Sequence, residues 1–256
     1  MKALIRWILN HVPRTALQRI AGWALPIMGL AYAGRARRCP VCGKRCRKFM
    51  PYGYVRSRED ALCPRCMSLE RHRMIWLWLE RETDLMSRRP RLLHIAPEAS
   101  LMRHFKRLYR DSGEYITADL ESPLADMHFD VQQIPLPERS VDVVICNHLF
   151  EHVEDDRLAM RELWRIMRHG GWGIMLVPEN RAMAKTFEDD SITDPAERTR
   201  LFGQYDHRRV YGRDYDERLQ SAGFKVERIA YAEMLSPEER ALYRIGGDDL
   251  VVVRKC

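Results

Sequence analysis

The sequence predicts an α/β protein in which a parallel sheet is covered by helices on both faces, with a small cysteine-bearing module ahead of it. Two observations carry that reading. From about residue 90, short apolar runs alternate with helical segments, and a run such as Val141–Cys146 is apolar almost throughout instead of on alternate residues. That is the pattern of strands buried on both faces. Ahead of this region stand two C-x-x-C pairs, Cys39/Cys42 and Cys63/Cys66, separated by twenty residues. At 256 residues, 46% apolar and 31% charged, the chain can bury one sizeable core and carry one accessory module. Its composition argues against disorder, repeats or a fibre.

Residues 1–38 form a basic amphipathic arm, with seven basic residues and no acid. Leu4, Ile5, Ile8 and Leu9 recur at helical spacing, and Pro13 and Pro26 interrupt any long helix. The apolar stretch Ile20–Ala33 is too short to span a bilayer as a helix. It resembles the apolar region of a signal peptide, with Ala31-Tyr32-Ala33 like a cleavage site, but the basic lead-in is too long for one. Two readings stay open: an interfacial anchor on an anionic membrane, and a helical arm packed on its own domain. Charge is uneven along the chain: the first 73 residues carry +13 and the remaining 183 carry −6. A basic front end on an acidic body suits an anionic partner, phospholipid or nucleic acid.

Residues 39–73 are the cysteine module. Two knuckles of this kind place four thiolates, Cys39, Cys42, Cys63 and Cys66, at the corners of a tetrahedron, as structural Zn2+ requires. With all four positions filled by protein, the site has no open position for chemistry. A redox pair is the alternative, weakened by there being two pairs. Cys46 and His72 are spare ligands, with Cys46 expected to be a bystander. Lys44, Arg45, Arg47 and Lys48, interleaved with Phe49, Tyr52 and Tyr54, suit a phosphate-and-stacking surface. The same aromatics also suit the small core such a module needs, and this second use is favoured.

Residues 74–256 form the main domain. A helix over 74–88 leads in. Strands are expected at Leu92–Ile95, Tyr115–Ala118, Val141–Cys146, Gly173–Val177, Phe224–Ala230 and Leu250–Val253. A helix over Asp156–Arg168 carries Ala159, Leu163, Ile166 and Met167 on one face, with acids at its start and Arg168-His169 at its end. Gly170-Gly171 supply its stop. Residues 179–211 read as a long insertion, of the kind that serves as a lid or acceptor site.

The stretch Ser140-Val-Asp-Val-Val-Ile-Cys-Asn-His-Leu-Phe-Glu-His-Val153, followed by Glu162-Leu-Trp-Arg-Ile-Met-Arg-His-Gly-Gly171 and a strand ending at Pro178, resembles class I S-adenosylmethionine-dependent methyltransferases. The group is the broad one that includes the ubiquinone and menaquinone biosynthesis enzymes. The likeness is good over roughly 90 residues. It implies a Rossmann-like sheet of seven strands, mostly parallel, with Leu250–Arg254 as an inserted antiparallel strand. It implies S-adenosylmethionine as cofactor, Asp119 as the ribose ligand beside Leu120, Asp130 on the adenine amino group, and Val131 against the ring. The residues agree with part of this: Asp119 ends the second strand about 21 residues after Glu98, close to the offset of the ribose acid in dinucleotide folds.

The first loop departs from that pattern. Where the family has an acid followed by Gly-x-Gly-x-Gly, this chain reads Leu93-His94-Ile95-Ala96-Pro97-Glu98-Ala99-Ser100. Ala96 still allows close backbone approach, His94 stands at the acid's position, and Glu98 is expected to take over the acid's role near the cofactor's ammonium group.

Methyl transfer needs alignment of donor and nucleophile, and in some cases removal of a proton. Asn147 is the candidate for orienting acceptor and cofactor, and His148 and His152 are candidate bases sharing one face if their segment is helical. Tyr205, His207, Arg208, Arg209 and Tyr211 are candidates for an acceptor pocket, the arginines suiting phosphate or carboxylate. The Phe-Gly-Gln and Tyr-Gly pattern of this insertion is similar to that of zinc-bearing methyltransferase-like bacterial proteins. The expectation is a cytoplasmic enzyme, peripheral at the inner face of the membrane, acting on a small-molecule, glycan or lipid-linked acceptor. An RNA methyltransferase using the cysteine module for recognition, and a non-catalytic binding protein, are the alternatives.

Overall fold

The computed structural model describes residues 29–53, 57–247 and 249–256. Most of the basic arm, and Tyr54, therefore lie outside the described residues. The chain divides into two compact units, one running up to Leu77 and including Leu235–Gly246, the other comprising Trp78–Met234 and Gly247–Cys256.

The larger unit is built on a seven-stranded sheet. Its strands are β1 (Leu92–Ile95), β2 (Tyr115–Asp119), β3 (Met127–His128), β4 (Val141–Cys146), β5 (Met167–Ile174), β6 (Lys225–Ile229) and β7 (Leu250–Arg254). They lie in the order β6-β7-β5-β4-β1-β2-β3. Strand β7 is antiparallel to both β6 and β5, and the remaining pairs are parallel. Leu92, Leu93, Val144, Ile145, Cys146, Val252 and Val253 are fully buried. Their near-continuous apolar runs thus report a sheet covered on both faces.

Helix Asp156–Ile166 starts where Asp155 accepts a hydrogen bond from Leu158 N, and it buries Ala159, Met160, Leu163 and Ile166. It ends at Ile166, two residues short of the expected end at Arg168. Met167 turns extended and pairs with Val141 at the start of β5. The two glycines therefore lie inside the strand, which begins earlier than expected. Gly170 has φ +78°, and a Cβ at Gly171 would meet the Asp142 carbonyl oxygen at 2.8 Å. The lead-in helix is Glu70–Glu82, followed by a separate turn of helix at Leu85–Arg88.

The smaller unit holds two short antiparallel strand pairs, Arg37–Arg38 with Arg45–Cys46 and Met50–Tyr52 with Arg58–Leu62. It also holds the helix Pro237–Tyr243, entered through a capping box between Ser236 and Glu239. The sequence reading leaves residues 235–246 in the main domain; here they belong to the unit that carries the cysteines. Arg73 shows why: its guanidinium donates to the carbonyls of Tyr243 and Arg244 as well as those of Ala61 and Ser68. No helix among the described residues is long and apolar enough to cross a membrane.

Candidate functional site

The chain leaves β1 toward β2 on one side, while β4 flanks β1 on the other, so the topology switches between β1 and β4. Ligands of open α/β sheets bind beyond the strand ends at such a point. Three loops meet there, after Ile95, Asp119 and Cys146.

In the first loop, Ala96 has φ +47°, the left-handed conformation for which a glycine is the usual choice, and its N–H donates to Ala118 O. Glu98 precedes helix Ala99–Leu108 without capping it, because its side chain turns back to His94. His94 is 0% exposed; its Nδ1 lies 2.9 Å from Tyr115 Oη and its Nε2 2.8 Å from Glu98 Oε2. Burial pushes the Tyr115 phenol well up, so it stays a donor. Tyr115 can then donate to Nδ1, and Nε2–H to Glu98. Asn147 Nδ2 donates to Glu98 Oε1 at 3.3 Å, and Asn147 Oδ1 accepts from Leu176 N. A line of side chains thus holds the Glu98 carboxylate at the switch point from both sides. His94 stands behind that carboxylate as a positioning group, fully buried, and Tyr115 is a member of the line that sequence reasoning missed.

At the end of β2, Asp119 Oδ1 accepts from Glu121 N and Ser122 N, which fixes the carboxylate at the strand terminus. Leu120 beside it is exposed. Asp130 is exposed, with its oxygens engaged by Gln132, and Val131 is buried.

Residues after β4 form turns, so the helical face expected to join His148 and His152 does not exist. Each imidazole instead has its own carboxylate. His148, at φ +53°, has Nδ1 3.3 Å from Glu151 Oε1, and His152 has Nδ1 3.4 Å from Asp206 Oδ2.

The insertion packs on this turn segment. Helix Pro195–Phe202 ends at Gly203 (φ +89°), and Phe187–Glu188 pairs with Arg209–Val210. Arg209 is 3% exposed and donates to Glu188 and to the carbonyls of Phe150, Val153 and Glu154. Tyr211 is fully buried and donates to Asp156 Oδ2, which Arg218 also engages. Arg209 and Tyr211 therefore do not line an acceptor pocket: they tie the insertion to the segment after β4, with main-chain carbonyls taking the place of the expected anion. Arg208 is half-buried near Glu154 and Asp190, and Tyr205 is 57% exposed. His207 is buried, with Nδ1 bonded to Phe202 O, and burial lowers its pKa.

In the smaller unit the four cysteines converge. Cys39 and Cys66 sulfurs lie 3.6 Å apart, Cys42 and Cys63 sulfurs 3.9 Å apart, and all four fall within 4.8 Å of one another. None is in a disulfide. Cys46 is buried outside this group, its thiol pushed up to about 12 by burial. His72 Nδ1 instead accepts from Leu69 N. Phe49 is fully buried beneath the Arg73 guanidinium, 4.3 Å from ring centroid to carbon, so it serves the module's core.

Residues 81–175 match the family model described as a methyltransferase domain. With the order and directions of the seven strands, this decides the architecture. It is a class I methyltransferase fold. Among curated proteins, the chain is similar to a probable S-adenosylmethionine-dependent methyltransferase of Mycolicibacterium smegmatis, at 31% identity over 100 residues, 39% of this chain and 35% of that one. It is also similar to the malonyl-acyl-carrier-protein O-methyltransferase of Serratia marcescens, at 30% identity over 80 residues, 27% of this chain and 31% of that one. The chain spans about a third of the length of these relatives. Of solved structures, an S-adenosylmethionine-dependent methyltransferase from Mesorhizobium loti aligns with TM-score 0.47 and 14% identity, over 71% of this chain and 98% of that one.

Within the methyltransferase fold, Glu188 is the acid shared by Arg209 of the insertion and Arg218 of the helix Tyr215–Ser221. Partial burial pushes its pKa up, but Arg218 and Arg209 win and hold it at about 2. A depressed folded-state pKa adds stability above the unfolded value, near 4.5, and that stability is lost as pH falls toward 2. Glu188→Gln is expected to flatten the fall in thermal midpoint between pH 4.5 and 2, measured by calorimetry across that window. Identical acid limbs would show that the arginines gain nothing from its charge.

Proposed function

We propose that the chain is an S-adenosylmethionine-dependent methyltransferase acting on a small-molecule, glycan or lipid-linked acceptor, with structural Zn2+ on Cys39, Cys42, Cys63 and Cys66. The observation that carries the first part is the pair of carboxylates at the switch point: Asp119 fixed by two backbone N–H groups, and Glu98 held between His94 and Asn147. When bound, S-adenosylmethionine supplies a methyl group on a sulfonium centre. Asp119 accepts the ribose hydroxyls, Glu98 faces the ammonium group, and Val131 offers an apolar wall to the adenine, whose amino group meets Asp130. Ala96 lets the backbone approach as the family's glycines do. Ala96 at φ +47° keeps the left-handed turn of a glycine loop without the glycine, which favours a retained site over a decayed one. His148, on the segment after β4, is the group able to accept a proton from the acceptor, its Nδ1 facing Glu151; His152 serves in that role only where it holds no metal.

The zinc reading rests on distance. A tetrahedron with Zn–S bonds of about 2.3 Å has sulfur–sulfur edges of roughly 3.8 Å, and the Cys39–Cys66 and Cys42–Cys63 separations, 3.6 and 3.9 Å, bracket that value.

Calorimetric titration with S-adenosylmethionine tests the cofactor site. The intact chain is expected to bind, and Asp119→Ala, still folded, to bind about 100-fold more weakly, roughly 2.7 kcal/mol, the scale of losing hydrogen bonds to a charged group. A folded intact chain that takes up no cofactor would make the fold a binding scaffold.

A further inference from the structure

The turns after β4 and the insertion bring three further metal-ligating side chains together. Glu151, His152 and His207 each offer a ligand atom, and these atoms lie within 4.8 Å of one another. We propose that they form a mononuclear site for a divalent transition-metal ion of the zinc class, with a coordination position open to an oxygen ligand.

The second observation, independent of the cluster, is an orphaned atom. Glu151 is 1% exposed, and its Oε2 is buried without a hydrogen-bond partner, while Oε1 has the His148 ring beside it. A carboxylate oxygen out of water and without a donor is costly, and folded proteins rarely leave one so unless something else satisfies it. A cation among the three side chains does so.

The imidazoles are prepared for the same role. A carbonyl oxygen only accepts, so the bond between His207 Nδ1 and Phe202 O places the ring proton on Nδ1. The Nε2 lone pair is then free for a metal. Asp206 stands 3.4 Å from His152 Nδ1, the outer carboxylate that commonly orients a ligating histidine. The frame is rigid: Arg208 N donates to Glu151 O, and the Arg209 guanidinium grips the carbonyls of Phe150 and Val153 on either side of the Glu151-His152 pair. Arg209 adds no competing charge at the ligands' tips, because it is engaged by Glu188.

One carboxylate and two imidazoles is a donor set for zinc and its neighbours, where calcium and magnesium prefer oxygen throughout. Three protein ligands with one position left open is the pattern of a catalytic site, unlike the closed set of four cysteines. On the methyltransferase reading, the open position takes an oxygen of the acceptor, a hydroxyl, enol or carboxylate. Metal binding itself does not depend on that reading.

The test is a Co2+ titration of the full chain with its four-cysteine site already loaded with zinc. The intact chain is expected to take up a further equivalent, giving visible d–d absorption without the intense near-ultraviolet band of thiolate coordination. His207→Gln and Glu151→Gln should each lose that equivalent while keeping the zinc, and His152→Gln serves if either fails to fold. Asp206→Asn should weaken binding by about 10–100-fold, as for other outer-shell partners. An intact chain that binds no further equivalent, or variants that bind it equally well, would overturn the site. Because the readout is metal uptake, that failure leaves the S-adenosylmethionine titration untouched, and failure of the latter leaves this one standing.

Discussion

On the proposal that the four cysteines hold zinc, stripping that metal is expected to unfold residues 37–77 while the seven-stranded sheet stays folded. The smaller unit has two strand pairs of two to five residues each, and isolated pairs of that length are not stable in water. Its buried apolar side chains, Val41, Phe49, Ala61, Leu62, Leu69, Met74, Ile75 and Leu77 with Leu235, Tyr243 and Ile245, make a small core of the size that usually needs a metal or disulfide staple. Structural zinc contributes about 10–16 kcal/mol of apparent binding energy in small domains, which exceeds any other single contribution available here. The sheet of the larger unit has its own core, fully buried on both faces of β1 and β4. Hydrogen exchange read by mass spectrometry, before and after chelation, checks this: peptides from 37–77 should lose protection and regain it on adding zinc, while peptides from 92–146 should not change. Protection that persists in a zinc-free chain would remove the metal from the account of this unit.

Arg73→Met is expected to destabilise the same unit by about 3–5 kcal/mol, the scale of breaking a buried charged network. Arg73 is 0% exposed, and its donors go to four carbonyls, of Tyr243, Arg244, Ala61 and Ser68, at 2.6 to 2.9 Å. Methionine fills much of the volume but removes all of these donors, leaving Ser68 O with Cys63 N. Burial pulls the guanidinium pKa down, against which the Cys39 thiolate and its neighbours pull it up. Four thiolates around Zn2+ carry a net charge of −2, so Arg73 is also the buried counter-charge of the proposed metal centre. Lysine should restore only part of the loss, since an ammonium has three donors and no planar fork. Denaturant titrations following zinc release check this, and a methionine variant within about 0.5 kcal/mol of the parent, the scale of an ordinary surface change, would mean that the carbonyls find other donors.

The parallel sheet was legible because β1 and β4 are apolar on consecutive residues, and β7, Leu250–Arg254, was legible through the family likeness. The C-x-x-C pairs announced their own convergence. What stayed hidden is mostly main-chain recognition. Arg73 and Arg209 hold the chain by donating to carbonyls, and carbonyls belong to every residue, so no side-chain pattern marks their partners. Arg209 read as a ligand for an acceptor's phosphate or carboxylate for that reason: a guanidinium held by carbonyls and the chain's own Glu188 looks like one at a bound anion in sequence. Residues 235–246 read as part of the main domain because they lie between β6 and β7, and three-dimensional contacts such as those of Arg73 and the Arg244–Asp60 ion pair move them. Ala96 at positive φ hides the turn that a glycine would have advertised. His94 and Glu98 were legible as a pair of interest, but Tyr115 behind them was not, since a tyrosine in a strand is ordinary.

The return of residues 235–246 to the cysteine module sets a timetable. Arg73 cannot find the carbonyls of Tyr243 and Arg244 until 170 or so further residues have been made. At ordinary rates of synthesis that is a wait of roughly 10–30 s. Four reactive thiols near the front of the chain spend it without the piece that completes their unit, while β1 to β5 emerge and can pair. Early metal capture would shelter those thiols through the delay; in a cell short of zinc, oxidation or wrong pairing would have the same interval in which to act.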